Sequence, residues 1–458
     1  MAQPDLTHLE RAVPATVLKL CRHLRDRGFR AWLVGGCVRD ELLRSSSIST
    51  AEHDWDLATD ARPEQVQACF RRVIPTGIQH GTVTVLLDGN GYEVTTLRGE
   101  TTYTDGRHPD SVYFVRDLEQ DLARRDFTVN AMAYEPLGGA LIDPHGGYSD
   151  LQAHTLRAVG DPRARFGEDG LRVLRAARFA ATLEFEVEER TLAAIEPSLQ
   201  SYRQVSPERI RDEWMKCLVA RQPSRGYRIM LNHGMLAVTA PELAACLGRP
   251  AGAPGDLWEH SLRCLDACRS DPLLRLAALL HDVGKAHLGQ ESANVDAGFP
   301  GHDVVGSQLA AGLLGRLRVS NRERDQVVQL VAHHTVRYEP SWDDATLRRW
   351  ICRVGPGVVR PLCELGRADV AVGDFEAARS LEDIDSLLTR AEKLMERGFP
   401  CTVRDLAVDG HDLMEHLGLQ PGSELGRLLR TLLDEVVADP SRNHREQLLA
   451  RAAELLDA

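Results

Sequence analysis

Hydrophobic and polar residues follow two different patterns along this chain, and the change falls near residue 160. Before it, short apolar or alternating runs predict strands at residues 32–34, 83–87 and 92–96. The apolar spacing over residues 14–27 predicts an amphipathic helix. From about residue 166 the spacing is almost entirely helical. The pattern therefore predicts an α+β first part and a helical remainder, with a Gly/Pro-rich linker at residues 248–255 and a weaker break near Gly373.

The composition is typical of a soluble globular protein, and it excludes a mostly disordered, collagenous or small disulfide-stapled chain. Of 458 residues, 43% are hydrophobic and 27% are charged. No run of about 18 apolar residues occurs, so we predict no membrane span and no membrane partner. The N-terminus lacks the apolar stretch of a secretory signal. The ten cysteines form no Cys-x-x-Cys pair, which predicts free, buried thiols, no structural zinc site and a cytoplasmic location.

The net charge of −12 argues at first against a nucleic-acid partner, because such proteins usually carry a basic excess. The charge is unevenly distributed, however. Residues 373–458 hold 18 Asp+Glu against 10 Lys+Arg, whereas residues 157–230 hold 14 Lys+Arg against 11 Asp+Glu. The acidic excess thus lies away from residues 157–230, where arginines gather. This distribution favours selective binding over broad affinity for polyanions.

A glycine turn and a carboxylate pair suggest phosphate chemistry in the first part. Gly35 and Gly36 follow an apolar strand and precede a predicted helix, where the backbone can approach a phosphate and Arg39 can add charge. Such a turn can also be purely structural. In a strand, Asp54 and Asp56 would face the same way and could bind Mg²⁺ together.

A third carboxylate lies downstream on the predicted strand at residues 92–96. Glu93 is either a further member of the acidic site or an ordinary surface residue. Two metal ions held by such a site can activate an attacking hydroxyl group and stabilise a leaving pyrophosphate.

Three motifs carry a family resemblance. Val-Gly-Gly-Cys-Val-Arg-Asp (34–40), Asp-Trp-Asp-Leu-Ala-Thr (54–59) and Arg-Arg-Asp-Phe-Thr-Val-Asn-Ala-Met-Ala (124–133) resemble class II tRNA nucleotidyltransferases, which comprise CCA-adding enzymes and bacterial poly(A) polymerases. The resemblance implies that Asp54 and Asp56 are the metal ligands. It further implies that the glycine turn, Arg39 and Arg125 contact the incoming nucleotide.

A second motif can read a base with protein side chains alone. Asp169 and Arg172 stand at i and i+3 and are expected to share a helix face. Asp accepts hydrogen bonds and Arg donates them, so the pair suits the amino group and ring nitrogen of cytosine or adenine and rejects uracil and guanine. The Glu-Asp-x-x-Arg segment resembles the family's base-recognition motif. Arg175 and Arg178 match its further nucleotide contacts; the alternative is a solvated, salt-bridged face.

Two neighbouring segments refine this prediction. Residues 98–111 are rich in turn formers and resemble the flexible loop that full CCA-adding enzymes use when they switch from C to A. The loop argues against an enzyme that adds only CC and leaves A-only addition open. Residues 206–213 have the signature of a helix start, with a role expected to be structural.

An ordered series of histidines and aspartates follows the linker. It comprises His260, His281, Asp282, His302, His333 and Asp369, with His334 as the alternative to His333. Imidazoles and carboxylates suit one or two divalent metals that activate water against a phosphoester. The series resembles the HD phosphohydrolase superfamily. That resemblance implies a primary site built from His260, His281, Asp282 and Asp369 and a second metal at the remaining histidines, unless the domain is an inactive scaffold.

The resemblances together imply an α+β fold: a polymerase-beta-like nucleotidyltransferase head with a mixed sheet, followed by an all-α neck, HD domain and tail. We place the catalytic head at residues 1–160, the helical neck with the base-recognition motif at 161–250, the HD domain at 251–372 and a tRNA-binding tail at 373–458. The tail is expected to hold the elbow region of tRNA.

The implied reaction is template-independent addition of C, C and A to tRNA 3′ ends from CTP and ATP, with release of pyrophosphate. The expected partners are the tRNA 3′ end, CTP and ATP, with Mg²⁺ as cofactor and a second divalent metal in the HD domain. An A-adding enzyme or a poly(A) polymerase is the alternative within the family. An HD-type metal-dependent phosphohydrolase is the alternative of another class, and a non-catalytic tRNA-binding protein is a third. The sequence predicts no oligomeric state.

Overall fold

The computed structural model describes residues 6–44, 54–78, 81–100, 112–250, 255–288, 299–336, 338–373 and 381–457. They belong to two compact units, Met1–Thr239 and Ala240–Ala458. The four sequence segments proposed above remain predictions, since the division between these units falls within the predicted neck. Every strand of the described residues lies in the first unit. Among the described residues of the second unit, helices are the only regular elements.

The first unit contains eleven strands and thirteen α-helices among its described residues. The strands are β1 (Ala31–Val34), β2 (Leu57–Thr59), β3 (Val73–Gly77), β4 (Thr82–Leu87), β5 (Asn90–Thr96), β6 (Arg98–Glu100), β7 (Val112–Phe114), β8 (Ala133–Glu135), β9 (Ala140–Ile142), β10 (Thr155–Leu156) and β11 (Glu186–Val187). The helices are α1 (Thr7–Ala12), α2 (Ala15–Asp26), α3 (Gly36–Arg44), α4 (Pro63–Cys69), α5 (Leu118–Ala123), α6 (Gly147–Gln152), α7 (Pro162–Glu168), α8 (Leu171–Thr182), α9 (Glu189–Ala193), α10 (Leu199–Tyr202), α11 (Pro207–Leu218), α12 (Pro223–Asn232) and α13 (Met235–Thr239). Short 3-10 turns occupy Thr128–Asn130 and Glu196–Ser198.

A seven-stranded mixed sheet forms the framework of this unit, in the order β3-β4-β5-β2-β1-β8-β9. The β2 and β5 strands are parallel, and all other neighbours in the sheet are antiparallel. The inner strand β1 is buried along its whole length, and its Trp32 and Val34 pack with Leu97 and Leu122 in one apolar cluster. The predicted α+β class with a mixed sheet is confirmed.

Helix α8 is the most buried helix of the first unit and packs against α11 and α12. The approach of α12 is close at Gly226: a Cβ atom there would lie 2.7 Å from Cys217 Sγ and 2.9 Å from the Ala177 carbonyl oxygen. Any larger residue would push α12 away from α8. This packing fixes the helix that carries the predicted base-reading arginines.

The second unit contains eleven α-helices among its described residues. They are α14 (Pro241–Ala244), α15 (Leu257–Ala267), α16 (Pro272–Leu280), α17 (His302–Arg316), α18 (Asn321–His333), α19 (Asp344–Val354), α20 (Val359–Val372), α21 (Leu381–Arg397), α22 (Gly410–Leu417), α23 (Ser423–Ala438) and α24 (Arg445–Asp457). Shorter 3-10 turns occupy Val283–His287, Pro356–Val358, Val403–Asp405 and Pro440–Arg442. Among the described helices, none combines the length and apolar character that crossing a bilayer requires.

The expectation that every cysteine is a free thiol is wrong for one pair. Cys352 in α19 and Cys401 after α21 form a disulfide across 49 residues of chain. The packing of α19 against α21 brings their Cα atoms to 5.0 Å, a long-range contact that no local spacing in the sequence indicates. The other eight cysteines are free and buried.

Candidate active site and candidate metal centre

A cavity of about 640 Å³ lies in the first unit, lined by residues of the sheet and of α8 and α11. It brings together residues that the sequence places more than a hundred positions apart. The predicted site residues on its wall are Gly35, Gly36, Arg39, Asp56, Glu93, Arg125, Asp169, Arg172, Arg175 and Arg178. Asp54 is exposed and is not one of the described residues that line it.

The acidic end of the cavity is built by the pairing of β2 with β5. Asp54 and Asp56 immediately precede β2 rather than lying within it, which corrects the expectation of a strand position. The Asp56 carbonyl oxygen accepts a hydrogen bond from Val34 N at 3.1 Å, which continues the β1–β2 pairing. Since Leu57 pairs with Val94, the preceding residues Asp56 and Glu93 are neighbours.

These carboxylates repel one another. Burial, the charge of Glu93 and that of Asp54 raise the pKa of Asp56 to about 6, although Arg125 acts in the opposite direction. A divalent cation prefers oxygen ligands, and its positive charge would offset the repulsion between these carboxylates. The donor set therefore fits the metal site that the sequence predicts.

The glycine turn lies beside the Arg-Arg-Asp motif. Gly35 has φ +77°, a left-handed conformation that favours glycine, and α3 begins at Gly36. A Cβ atom on Gly35 would lie 2.9 Å from Arg125 Nη1. Arg124 and Arg125 both bind the buried carboxylate of Asp121, at 2.8 and 3.2 Å. The turn thus leaves room for a guanidinium group that points toward the cavity.

A buried chain of hydrogen bonds joins the turn to α8. Arg39 Nη1 donates to Asn130 Oδ1 at 2.5 Å, and Asn130 Nδ2 donates to Asp126 Oδ1 at 3.0 Å. The other oxygen of Asp126 accepts from Arg175 Nε at 2.7 Å. Burial alone would raise the pKa of Asp126, but Arg175 and the hydrogen bonds to this carboxylate lower it to about 2. We call this the Arg39–Asn130–Asp126–Arg175 relay.

Asp169 and Arg172 both reach the cavity, but they do not share a helix face as expected. Asp169 is extended (φ −140°, ψ 108°) and stands before α8, where its Oδ1 accepts from Leu171 N at 3.0 Å. Arg172 lies in the first turn of α8 and donates to Glu168 at 2.6 Å and to the Arg124 carbonyl oxygen at 2.8 Å. The two side chains are therefore oriented by separate partners.

The arginine row is salt-bridged but not solvated, since two of its members are buried and Arg175 is partly buried, which contradicts the alternative of a solvated helix face. Arg172 is 7% exposed and Arg178 is 9% exposed. Arg178 pairs with the buried carboxylate of Glu213, which also lies near Arg175. Phe179 places its ring under both Arg175 and Arg178.

Sequence reasoning missed one cavity residue that contacts the predicted base reader. Arg209 on α11 donates from Nη2 to Asp169 Oδ2 at 2.7 Å and lines the cavity. Arg209 lies within residues 206–213, for which the sequence predicts only a structural role. Its sequence gives no local signal of this contact, because Asp169 is 40 residues away.

The second unit gathers the predicted HD residues at one point. One group comprises His260, Cys264, His281 and Asp369, and the other comprises Asp282, His302 and His334. His334, not His333, belongs to the second group. Helix α18 ends at His333, which is only partly buried, whereas the His334 ring is turned inward by a hydrogen bond from Nδ1 to the Val331 carbonyl oxygen at 2.7 Å.

Asp282 lies between the two groups. Its Oδ2 is 3.3 Å from His281 Nε2, and its Oδ1 is 3.4 Å from His334 Nε2. Lys285 Nζ holds Oδ2 at 2.6 Å. One carboxylate therefore faces both histidine pairs, which is the arrangement that two neighbouring cations require of a shared ligand.

The orientation of two histidine rings is compatible with a cation at this point. His302 Nδ1 and His334 Nδ1 each face a backbone carbonyl oxygen, at 2.6 and 2.7 Å, and a carbonyl can only accept. Both Nδ1 atoms therefore carry a proton, which leaves the two Nε2 atoms, 3.1 Å apart, as the ring atoms that can face a cation. The pair of rings thus fits a metal site.

Comparison with known proteins places the chain in a family. The profile of the poly A polymerase head domain matches residues 31–157, that of the RNA- and SrmB-binding site of polymerase A matches residues 184–247, and that of tRNA nucleotidyltransferase domain 2 matches residues 305–452. The CCA-adding enzyme of Latilactobacillus sakei is 36% identical over 96% of this chain and 97% of its own length. This chain belongs to the CCA-adding enzyme family.

Other relatives agree across nearly the full length. The CCA-adding enzyme of Levilactobacillus brevis is 34% identical over 93% of this chain and 94% of its own. The Bacillus stearothermophilus CCA-adding enzyme, solved in complex with CTP, superposes with a TM-score of 0.71 at 28% identity and covers 100% of this chain and 98% of its own. The Thermotoga maritima CCA-adding enzyme with tRNA, at 18% identity and a TM-score of 0.56, shows the same fold.

One family feature falls outside the described residues. The loop expected to support the switch from C to A covers residues 98–111. Residues 98–100 of this loop form β6, which pairs with β7. Residues 101–111 lie outside the described part of the chain. The loop therefore remains a prediction from the sequence.

Proposed function

We infer that this chain adds C, C and A to the 3′ end of tRNA from CTP and ATP. The observation that carries this inference is the cavity itself, where the carboxylate end with Asp56 and Glu93 meets the base-reading end with Asp169 and Arg172. Relatives named CCA-adding enzyme along nearly the whole chain support it. The expected setting is the cytoplasm, with the predicted tail of residues 373–458 binding tRNA.

Asp54 and Asp56, with Glu93 beside them, would hold the divalent cation, for which we propose Mg²⁺. When bound, Mg²⁺ makes the terminal tRNA hydroxyl group more acidic and stabilises the charge that develops on the phosphates. In the reaction, the 3′ oxygen forms a bond to the α-phosphorus and loses its proton, while the bond to the bridging oxygen breaks and pyrophosphate leaves. The protein contributes mainly by positioning its substrates and by compensating charge.

The side chains divide this work along the cavity. Arg39 and Arg125 lie beside the glycine turn, where they neutralise the triphosphate. Asp169 accepts a hydrogen bond from the amino group of cytosine or adenine, and Arg172 donates to the ring nitrogen. With uracil or guanine, the acceptor Asp169 would face an acceptor and the donor Arg172 would face a donor. Each unpaired group would cost roughly 1–3 kcal/mol.

One assay separates full CCA addition from the alternatives within the family. A tRNA that lacks CCA is incubated with CTP alone, with ATP alone, and with both. We expect two C residues with CTP alone and a complete CCA end with both nucleotides. Failure to incorporate any C would reverse the inference in favour of an A-adding enzyme, and long A tails would indicate a poly(A) polymerase.

A second function is favoured by the histidine cluster. We propose that the second unit contains a metal-dependent phosphohydrolase site, because the Nε2 atoms of His302 and His334 meet beside the Asp282 carboxylate. The substrate would be a phosphate ester attacked by metal-activated water. Asp54→Ala should abolish nucleotide addition and spare hydrolysis, while His281→Ala should do the reverse. Equal loss of both activities in either variant contradicts the separation.

A further inference from the structure

One cysteine lies inside the histidine cluster, where the HD resemblance assigns no residue. Cys264 and His260 are one turn apart on α15, so their side chains share a face of that helix. The Cys264 Sγ atom is 3.9 Å from His260 Nε2 and is buried. The sulfur, the two Nε2 atoms of His260 and His281 and a carboxylate oxygen of Asp369 lie within 4.8 Å of one another.

The spacing of these donors matches the edges of a tetrahedral site. Zinc–nitrogen and zinc–oxygen bonds near 2.0 Å place two such ligands about 3.3 Å apart, and a zinc–sulfur bond near 2.3 Å places sulfur about 3.5 Å from nitrogen. The observed separations are 3.2 Å for His260 Nε2–His281 Nε2 and 3.1 Å for His260 Nε2–Asp369 Oδ1. His281 Nε2 and Asp369 Oδ1 are 3.8 Å apart and the sulfur is 3.9 Å from His260 Nε2, so these atoms must approach one another to complete the tetrahedron.

We propose that Cys264 is a metal ligand, and that the group His260, Cys264, His281 and Asp369 binds a borderline transition metal such as Zn²⁺ or Co²⁺ rather than Mg²⁺. Thiolate sulfur selects such ions, whereas Mg²⁺ requires oxygen ligands. On binding, the thiol releases its proton to solvent and the sulfur takes a coordination position. This inference rests on the proposal that the cluster holds metal.

The proposal assigns different roles to the two groups. The group with Cys264 has four protein donors besides the shared carboxylate of Asp282, so few coordination positions remain for water, as is typical of structural sites. The other group, Asp282, His302 and His334, offers three donors and leaves a position for water, as catalytic sites do. The cation held by Cys264 would therefore fix α15 against α16 and α20, and the cation of the open group would act on the phosphate ester.

Cobalt substitution of the full-length protein tests the sulfur ligand directly. Co²⁺ bound by a thiolate absorbs in the near ultraviolet, and Co²⁺ bound by nitrogen and oxygen alone does not. We expect the band to appear on titration of the metal-free protein, to vanish in Cys264→Ser and to persist in Cys268→Ser. Cys268 is the matched control, because it is a buried free thiol at the end of the same helix but outside the group.

Affinity provides a second readout that does not depend on the band. Competition with a chromophoric chelator should show Zn²⁺ binding weakened at least about tenfold in Cys264→Ser, since even outer partners of ligands contribute that much. Far-ultraviolet circular dichroism reports whether the variant is folded, and tRNA nucleotide addition reports whether the candidate active site in the first unit is unaffected. His302→Ala should keep the absorption band, because it belongs to the other group.

Each outcome decides a different point. Co²⁺ that binds without a thiolate band overturns the role of Cys264 and leaves the metal centre intact. No binding of Co²⁺ or Zn²⁺ to the wild-type protein overturns the metal centre and this inference together, while CCA addition would be unaffected. A band that survives in Cys264→Ser and disappears in Cys268→Ser would show that Cys268, and not Cys264, supplies the sulfur ligand.

Discussion

Arg209 donates a hydrogen bond of 2.7 Å to Asp169, the carboxylate proposed to read the base. One Asp169 oxygen is fixed by Leu171 N and the other by this guanidinium. Arg209 Nη1 is buried and has no hydrogen-bond partner among the described residues. We therefore predict that Arg209 is a positioning residue for the proposed base-reading pair.

Arg209→Ala should reduce the selectivity for C and A over U and G by about tenfold or more. Without the guanidinium, the Asp169 carboxylate can rotate, and a hydrogen bond to a charged group contributes roughly 1.5–3 kcal/mol. Competition between CTP and UTP on one tRNA measures the ratio of kcat/KM values. Arg211→Ala is the control, because Arg211 on the same helix pairs with Asp212 at the surface. Unchanged discrimination in Arg209→Ala would assign Arg209 to folding alone.

Glu93→Gln should raise the Mg²⁺ concentration needed for half-maximal nucleotide addition by about tenfold. The substitution removes the charge that, with burial, raises the pKa of Asp56, and so removes part of the attraction for a divalent cation. Initial rates measured across a Mg²⁺ titration give the value. Asp88→Asn is the matched control, since Asp88 lies in the turn between β4 and β5 and pairs with Lys19 at the surface. Equal Mg²⁺ requirements in both variants would make Glu93 an ordinary surface residue.

Gly35→Ala should raise KM for CTP and ATP about tenfold, by two effects. An alanine at φ +77° costs roughly 1–2 kcal/mol, and its Cβ atom would displace Arg125 Nη1. Gly28→Ala separates the two effects, because Gly28 has φ +87° and open space around the added Cβ atom. We expect both variants to lose thermal stability and only Gly35→Ala to bind nucleotide more weakly. Similar KM values in the two variants would exclude a role for the turn in binding.

Asp126→Asn should destabilise the first unit at neutral pH by roughly 2 kcal/mol and flatten the acid side of its stability profile. The pKa of Asp126 is lowered from 3.8 to about 2 in the folded protein. Its stabilising contribution is therefore present above pH 4 and is lost as the pH falls toward 2. Urea unfolding between pH 7 and pH 3 measures the slope. A variant whose stability falls as steeply as that of the wild type below pH 5 would contradict this assignment.

Local patterns revealed much of the candidate site, and long-range packing determined the rest. The Gly35–Gly36 turn could be read from neighbouring residues, because the strand, the glycines and the helix are adjacent in sequence. The proximity of Asp56 to Glu93 depends on parallel pairing of β2 with β5, and no periodicity specifies which strands become neighbours. The contact of Arg209 with Asp169 depends likewise on the docking of α11.

The same limit explains two errors in the helical part. His333 and His334 are adjacent, so only the rotation of α18 at its last turn decides which ring points inward. Cys352 and Cys401 meet because α19 packs on α21, which sequence spacing does not show. Residue chemistry could be predicted in both cases; the direction of a side chain and the choice of a distant partner could not.

The Arg39–Asn130–Asp126–Arg175 relay links the glycine turn to α8, and we expect it to couple the assembly of the pocket to the packing of that helix. Its four members come from three distant stretches of chain, and three of them are buried. In a partly unfolded state with the sheet formed and α8 detached, Arg175 would leave Asp126. The glycine turn and the base-reading end of the cavity would then lose this support together. A nucleotide that spans both ends should therefore stabilise the whole unit against unfolding, by an amount that grows with the logarithm of its concentration.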